Sequence, residues 1–319
     1  MGKLGRLAQP HRAEREGRLR SALFCYARGA CVMPAAPAKL PGFEKVHMPP
    51  YKPIGPSLIS RDLDTLVVGS EITCFEVCDS TNLRARDAAE RGAPDGAAFF
   101  AESQAAGRGR HGRTWLDEPG ACLLLSVLLR PPALLAAEAH LLTMLAANAT
   151  AAVVESATGL AVALKWPNDL VVGERKLAGI LVETSLLGDA VEAAVLGIGL
   201  NVSLDPAAYP EIAATATSLA RDLGRPVDRL PLARELLRQL DRRYDALRSG
   251  DRAGIFAEWR GRLATLGQRV EVVGSANATG EARRVVLAED VAPDGALLCR
   301  LADGSRVVYH FAEVSLRIP

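Results

Sequence analysis

Gln104-Ala-Ala-Gly-Arg-Gly-Arg-His-Gly-Arg-Thr-Trp115 is followed, after a turn, by Cys122-Leu-Leu-Leu-Ser-Val-Leu-Leu129. The fold reading rests on this pair. The spacing Gly107-x-Gly109-x-x-Gly112 fits a dinucleotide fingerprint, but that fingerprint needs a helix directly after its glycines. Here Trp115-Leu-Asp-Glu-Pro-Gly120 makes a turn, and the apolar run that follows reads as a buried strand. A Rossmann phosphate site is therefore disfavoured. No Gly-Lys-Ser or Gly-Lys-Thr occurs, so there is no Walker loop either.

The loop itself is basic. Arg108, Arg110 and Arg113 alternate with glycines, and no acidic residue occurs from Ser103 to Leu116. Glycines let backbone approach a ligand closely, and guanidiniums offer forked donors suited to carboxylate and phosphate. Such a loop is expected to open when empty and close over an anion, with nothing nearby in the sequence to hold it down. A solvated surface loop is the competing reading.

Outward from the loop, the pattern is α/β. Ile72 to Val77 alternates like a strand, Ser80-Thr-Asn82 can cap a helix running to Arg91, and Ala97 to Ala101 is a short buried strand. Leu134 to Ala157 is the most apolar segment. It carries Glu138, His140, Asn148 and Glu155, which suits a buried helix better than a membrane span. Strands are expected at Leu160–Leu164, Leu170–Val172, Gly179–Glu183 and Glu192–Leu200, and tight turns between them make the sheet mixed or antiparallel. Amphipathic helices are expected at Leu230–Leu247 and Ile255–Leu266.

From about Gly267, short strands at Arg269–Val273, Arg284–Ala288, Ala296–Leu301 and Arg306–His310 follow one another, with hairpin turns at Asp294-Gly295 and Asp303-Gly304. They make a small β-barrel of SH3-like size. The expected layout is a poorly ordered extension over 1–57, a catalytic domain over 58–266 and an SH3-like domain over 267–319. The extension is rich in arginine and proline and has no clean signal core.

With 319 residues and a net charge of +1, the chain can hold about two domains, and its total charge gives no support to a nucleic-acid or membrane partner. The six cysteines, at 25, 31, 74, 78, 122 and 299, lack zinc-ligand spacing, and Cys74 and Cys122 sit in apolar runs. A reduced, cytoplasmic protein is expected.

Three further stretches carry chemistry. In Lys165-Trp-Pro-Asn-Asp169, a lysine and an aspartate meet at a strand end, where they suit phosphate and metal respectively; a polar hairpin turn is the alternative. Lys176 opens the small, apolar strand Lys176-Leu-Ala-Gly179. Gly197-Ile-Gly-Leu-Asn201 places glycines inside an apolar strand, where they cost stability unless a ligand or backbone comes close.

Together with Ser80-Thr-Asn82 and Gln104 plus Gly107-Arg-Gly-Arg-His-Gly112, these stretches resemble the biotin–protein ligase family, in order and in spacing, from about residue 58 onward. The resemblance is to the monofunctional type without a DNA-binding module. It implies a class II synthetase-like mixed sheet flanked by helices, with the SH3-like domain behind it. It implies a ligase that joins biotin and ATP to biotinyl-5′-AMP and then moves biotin to a lysine of a biotin carboxyl carrier domain, with Mg²⁺ as activating metal. Biotin contacts would be Ser80, Thr81, Asn82, Gln104, Gly107, Arg108, Gly109, Arg110, Lys176, Gly179 and Gly197. ATP contacts would be Arg108, Arg110, Arg113, Trp115, Lys165, Asn168, Lys176 and Asn201. Lys176, Arg110 and Asp169 would be catalytic, with Asp169 also the metal contact. One departure concerns the tryptophan that stacks on adenine in some members: the aligned Ala216-Thr-Ser-Leu219 has no aromatic residue. A homodimer is left open. A lipoate or octanoyl ligase of the same fold, or a non-catalytic biotin-binding regulator, are the alternatives.

Overall fold

The computed structural model describes residues 51–274, 283–310 and 314–317. After the short helix α1 (Pro56–Ser60), strand β1 (Ile72–Cys78) leads through α2 (Thr81–Glu90) to β2 (Ala98–Gln104). Strand β3 (Cys122–Leu129) is buried along its whole length, as an apolar run at the centre of a sheet must be. The rest of the sheet comes from β4 (Ala163–Lys165), β5 (Asp169–Val172), β6 (Arg175–Leu187) and β7 (Ala190–Asn201). The order across this seven-stranded sheet is β1-β2-β3-β7-β6-β5-β4. Only β1 and β2 run parallel, with α2 as their crossover; every other neighbour is antiparallel.

Helix α3 (His140–Thr158) supplies a large share of the core, with Leu142, Met144, Leu145, Ala146 and Val154 fully covered. Residues Ala136–Thr158 are long and apolar enough to cross a membrane by composition, but 67% of that window is buried inside the fold. Gly159, at φ 73°, ends the helix in the left-handed conformation that suits glycine. The short α4 (Leu219–Leu223) precedes α5 (Arg229–Arg248), which packs against α3 and is started by the Asp228 side chain accepting from the Leu230 amide. Helix α6 (Arg252–Gly261) stops short of the expected Leu266. There the chain turns to pair with β4, Leu164 N donating to Arg262 O and Ala264 N to Leu164 O.

The C-terminal unit is a five-stranded antiparallel sheet of β8 (Arg269–Gly274), β9 (Arg283–Val291), β10 (Leu297–Arg300), β11 (Arg306–Tyr309) and β12 (Val314–Arg317), in the order β11-β10-β9-β8-β12. β12 was not expected from sequence. Gly295 and Gly304 take positive φ in the two hairpin turns. The unit is fastened to the large domain: the Trp166 indole donates to Gly295 O at 2.9 Å, and Arg260 pairs with Asp290 at 2.7 Å.

The expected disordered extension lies outside the described residues over 1–50. Over 51–57 it is corrected. Ile54 is buried, and its amide donates to Glu102 Oε1 at 2.8 Å. Glu102 also takes Arg229 at 2.6 Å, both side chains being 5% exposed. Arg229 in turn donates to Lys52 O and Cys122 O and lies over the Tyr51 ring. An ion pair this deep holds only while its remaining donors and acceptors are filled. Removing residues 1–57 is therefore expected to cost roughly 2 kcal/mol relative to removing 1–50, a fall of about 4–8 °C in Tm. Thermal melts of the two truncations, followed by circular dichroism, read this directly. Equal melting temperatures would show that the 51–57 strap contributes nothing.

Candidate active site

A cavity of about 1040 Å³ opens across the sheet, walled by the start of α2, the end of β2, the basic loop, the β4–β5 turn, the first half of β6 and the glycine-bearing part of β7. The expected residues Ser80, Thr81, Asn82, Gln104, Arg108, Gly109, Arg110, Arg113, Trp115, Lys165, Asn168, Asp169, Lys176, Gly179, Gly197 and Asn201 all line it. Gly107 is buried beside them, where an added Cβ would lie 2.6 Å from Trp115 O.

One end is polar and deeply buried. Ser80, Thr81 and Asn82 are 2%, 4% and 4% exposed. Ser80 stands at the N-cap of α2, but its side chain makes no capping bond, contrary to expectation. The bond comes instead from Gln104, whose Oε1 accepts from Thr81 N at 2.8 Å. Ser126, the one polar residue inside β3, donates to Asn82 Oδ1 at 2.7 Å and has its hydroxyl 2.8 Å from Thr81 Oγ1. Gly197 is needed here, because a Cβ on it would stand 2.1 Å from Asn82 Oδ1. Gly179 and Gly199 clear space for the Trp115 ring, which a Cβ on Gly199 would approach to 2.6 Å. The strand glycines thus make room for side chains that shape the cavity.

The other end is charged. Lys176 Nζ pairs with Asp169 at 2.6 Å and stands 5.6 Å from the Trp115 ring centroid. Lys165 sits opposite Asp169 in the β4–β5 register. Arg110 Nη1 donates to Asn168 Oδ1 at 3.1 Å, while its Nη2 is buried with no hydrogen-bond partner. Burial pushes the Arg110 pKa down; nearby Asp169 opposes this, and Arg113 adds to it. Arg113 is on the exposed side of the loop.

The loop is not held only by an incoming anion, as the sequence led one to expect. Gly109 N donates to Arg113 O at 2.7 Å and Trp115 N to Gly107 O at 3.0 Å. Arg108 pairs with Glu183 at 2.9 Å. Gly112 and His111 take positive φ at its tip.

Two expected nucleotide contacts spend their amides on the protein. Asn168 Nδ2 donates to Ile180 O at 2.6 Å while its oxygen takes Arg110, and Asn201 Nδ2 donates to Thr217 O at 2.9 Å. Both hold the cavity's shape. The 215–217 segment is bound by backbone to Lys176, with Lys176 N donating to Thr215 O and Thr217 N to Lys176 O.

Residues 74–201 match the biotin/lipoate A/B protein ligase family, and residues 265–317 match the biotin protein ligase C-terminal domain. The chain is 34% identical over 275 residues to the biotin–[acetyl-CoA-carboxylase] ligase of Mycobacterium tuberculosis, covering 81% of this chain and 96% of that one. It belongs to the biotin protein ligase family. It is also 36% identical over 189 residues to the bifunctional ligase/repressor BirA of Bacillus subtilis, a match that spans 58% of that relative and 59% of this chain. The fold is similar to the Aquifex aeolicus biotin protein ligase solved with biotin and ATP, at TM-score 0.66 and 25% identity over 78% of this chain and all of that one.

Two residues that hold the site together escaped the sequence reading: Glu183 and Ser126. Ser126 had a signal, as a lone hydroxyl in an apolar strand. Glu183 had none, since a carboxylate at the end of an apolar run reads as a solvated edge.

No group of three His, Cys, Asp or Glu that could hold a metal occurs among the described residues. Cys74, Cys78, Cys122 and Cys299 are free, and burial raises all four thiols, Cys74 and Cys78 to about 11. Cys25 and Cys31 lie outside the described residues. None of the four is a ready thiolate.

Proposed function

We propose that this chain is a biotin protein ligase. Biotin's carboxylate oxygen attacks the α-phosphorus of ATP, the bond to pyrophosphate breaks, and biotinyl-5′-AMP forms. A lysine amine of a carrier domain then attacks the acyl carbon, AMP leaves, and the amine's proton is lost.

The observation that carries this reading is the buried Arg110 Nη2 without a hydrogen-bond partner, beside Lys176 and Lys165. A buried charged donor without a partner is costly, and in this position it fits an anionic ligand oxygen. Nucleophile and nucleotide are both anionic, so cations must converge where they meet. The buried polar end supports the ring: Thr81, Asn82, Gln104 and Ser126 make an internally bonded set of donors and acceptors suited to a small polar ureido group. The adenine side lacks a stacking residue in 216–219. Trp115 and Trp166 both line the cavity, and Trp166, at 1% exposure, is the more deeply buried of the two.

The residues fit Mg²⁺ in the mode in which phosphates supply most ligands and the protein one carboxylate. Asp169 would be that carboxylate, and the ion would spread charge over the phosphates. The partner we propose is the carrier domain of a biotin-dependent carboxylase, in the cytoplasm, with no DNA or membrane partner. For a homodimer, support comes from β6, which runs beyond its pairing with β5 and exposes Leu186 and Leu187.

Purified protein is expected to exchange labelled pyrophosphate into ATP only with biotin and Mg²⁺ present. Exchange supported by lipoate and not biotin would move the assignment to a lipoate ligase. Biotin binding without exchange would make the chain a non-catalytic regulator.

A further inference from the structure

Glu183 stands outside the cavity wall yet joins two residues that form it. Its Oε1 is 2.9 Å from Arg108 on the basic loop, and its Oε2 accepts from Asn82 Nδ2 on α2 at 2.8 Å. Three elements separate in sequence meet on one carboxylate. Asn82 is also held at its other end, since its Oδ1 accepts from Ser126 Oγ at 2.7 Å. Its amide therefore has one orientation, with the oxygen toward β3 and the nitrogen toward Glu183.

A negative side chain beside a cleft for a carboxylate and a triphosphate opposes binding. A neutral acceptor would orient Asn82 equally well. Only the charge accounts for the Arg108 contact. We propose that Glu183 is a positioning residue: one oxygen orients Asn82 for the ring of biotin, and the other latches the basic loop over the bound acyl-adenylate. The proposal rests on the biotin ligase reading of the cavity.

The two oxygens predict different losses. Arg108 and Glu183 are 42% and 29% exposed, so water screens their pair and its loss changes rates only about two- to fivefold. The Asn82 bond is better covered, and its loss weakens binding about tenfold. Glu183→Gln keeps an acceptor for Asn82 but turns a neutral amide toward Arg108. Glu183→Ala loses both contacts.

The experiment compares both variants of the full chain. In pyrophosphate exchange, Glu183→Ala is expected to raise the KM for biotin about tenfold, with kcat within about threefold of wild type. Glu183→Gln is expected to keep KM but release biotinyl-adenylate about two- to fivefold faster. Added salt should accelerate release from wild type and leave Glu183→Gln unmoved. Wild-type KM and release in both variants would overturn the proposal. So would equal losses of kcat and Tm in both, which would make Glu183 merely structural. A second measurement needs no activity. In the free protein, Glu183→Ala should speed amide hydrogen exchange across 108–114 and at the start of α2. Unchanged exchange there overturns the latch whatever the reaction proves to be, whereas absent exchange of pyrophosphate by wild type overturns the ligase reading.

Discussion

Lys176→Ala is expected to slow biotin-dependent adenylate formation by about 10²–10³-fold, the usual effect of removing one well-placed charge from a developing transition state. Lys176 opens β6 at the lip of the cavity. Its ammonium lies 2.6 Å from Asp169 and 3.1 Å from where a Gly179 side chain would start. As the biotin oxygen closes on the α-phosphorus, negative charge collects between the phosphates and the acyl group. A lysine held between a carboxylate and an aromatic face can move to that charge without crossing bulk water. The fold should survive, because the Lys176 side chain is 38% exposed and its backbone bonds to the 215–217 segment do not involve it. The variant also strips Asp169 of its partner and leaves a bare negative charge in the site. Near-normal pyrophosphate exchange by Lys176→Ala would demote Lys176 to a strand-edge residue.

Arg110→Gly should still form adenylate, more slowly, through the cations that remain at Lys176 and Lys165, but its larger effect is to shorten the dwell of the product by about 10²-fold. The guanidinium spans the loop and the β4–β5 turn through Asn168, with its second amino group buried and free to take a ligand oxygen. Burial lowers its pKa, yet a guanidinium keeps its charge at any working pH. Glycine removes that bond and adds backbone entropy to a loop already rich in glycine. A mixed anhydride set loose in water acylates whatever amine it meets. Incubation with albumin should therefore show scattered biotinylation by the variant and little by wild type. In parallel, the loop amides should be protected from hydrogen exchange by biotinyl-adenylate in wild type and much less so in the variant. Wild-type protection together with wild-type selectivity would mean the loop is not a lid.

Much of the fold could be read along the chain because its causes are local. An apolar run bounded by a turn made β3, and helical spacing of leucines made α5. Glycine-bearing turns closed the C-terminal hairpins. The site was legible in its parts for the same reason: each glycine, arginine and lysine cluster is a short segment. The Ser80 cap was misread, and β12 and the 51–57 strap were not seen. In each case the partner is far away. Gln104 caps α2 across 23 residues, and Arg229 reaches Lys52 across 177.

What the sequence alone determined, then, is the order of elements, the exclusion of a dinucleotide fold, and a set of short basic and glycine-rich segments whose combination marks the family. What only the tertiary structure decided is how those segments are joined. Asn82 meets Glu183 across 101 residues and Arg110 meets Asn168 across 58, because the strand order sets β7 between β3 and β6. A hydrogen bond depends on placement within tenths of an ångström, and that placement comes from packing the whole sheet against α3, which no local pattern encodes.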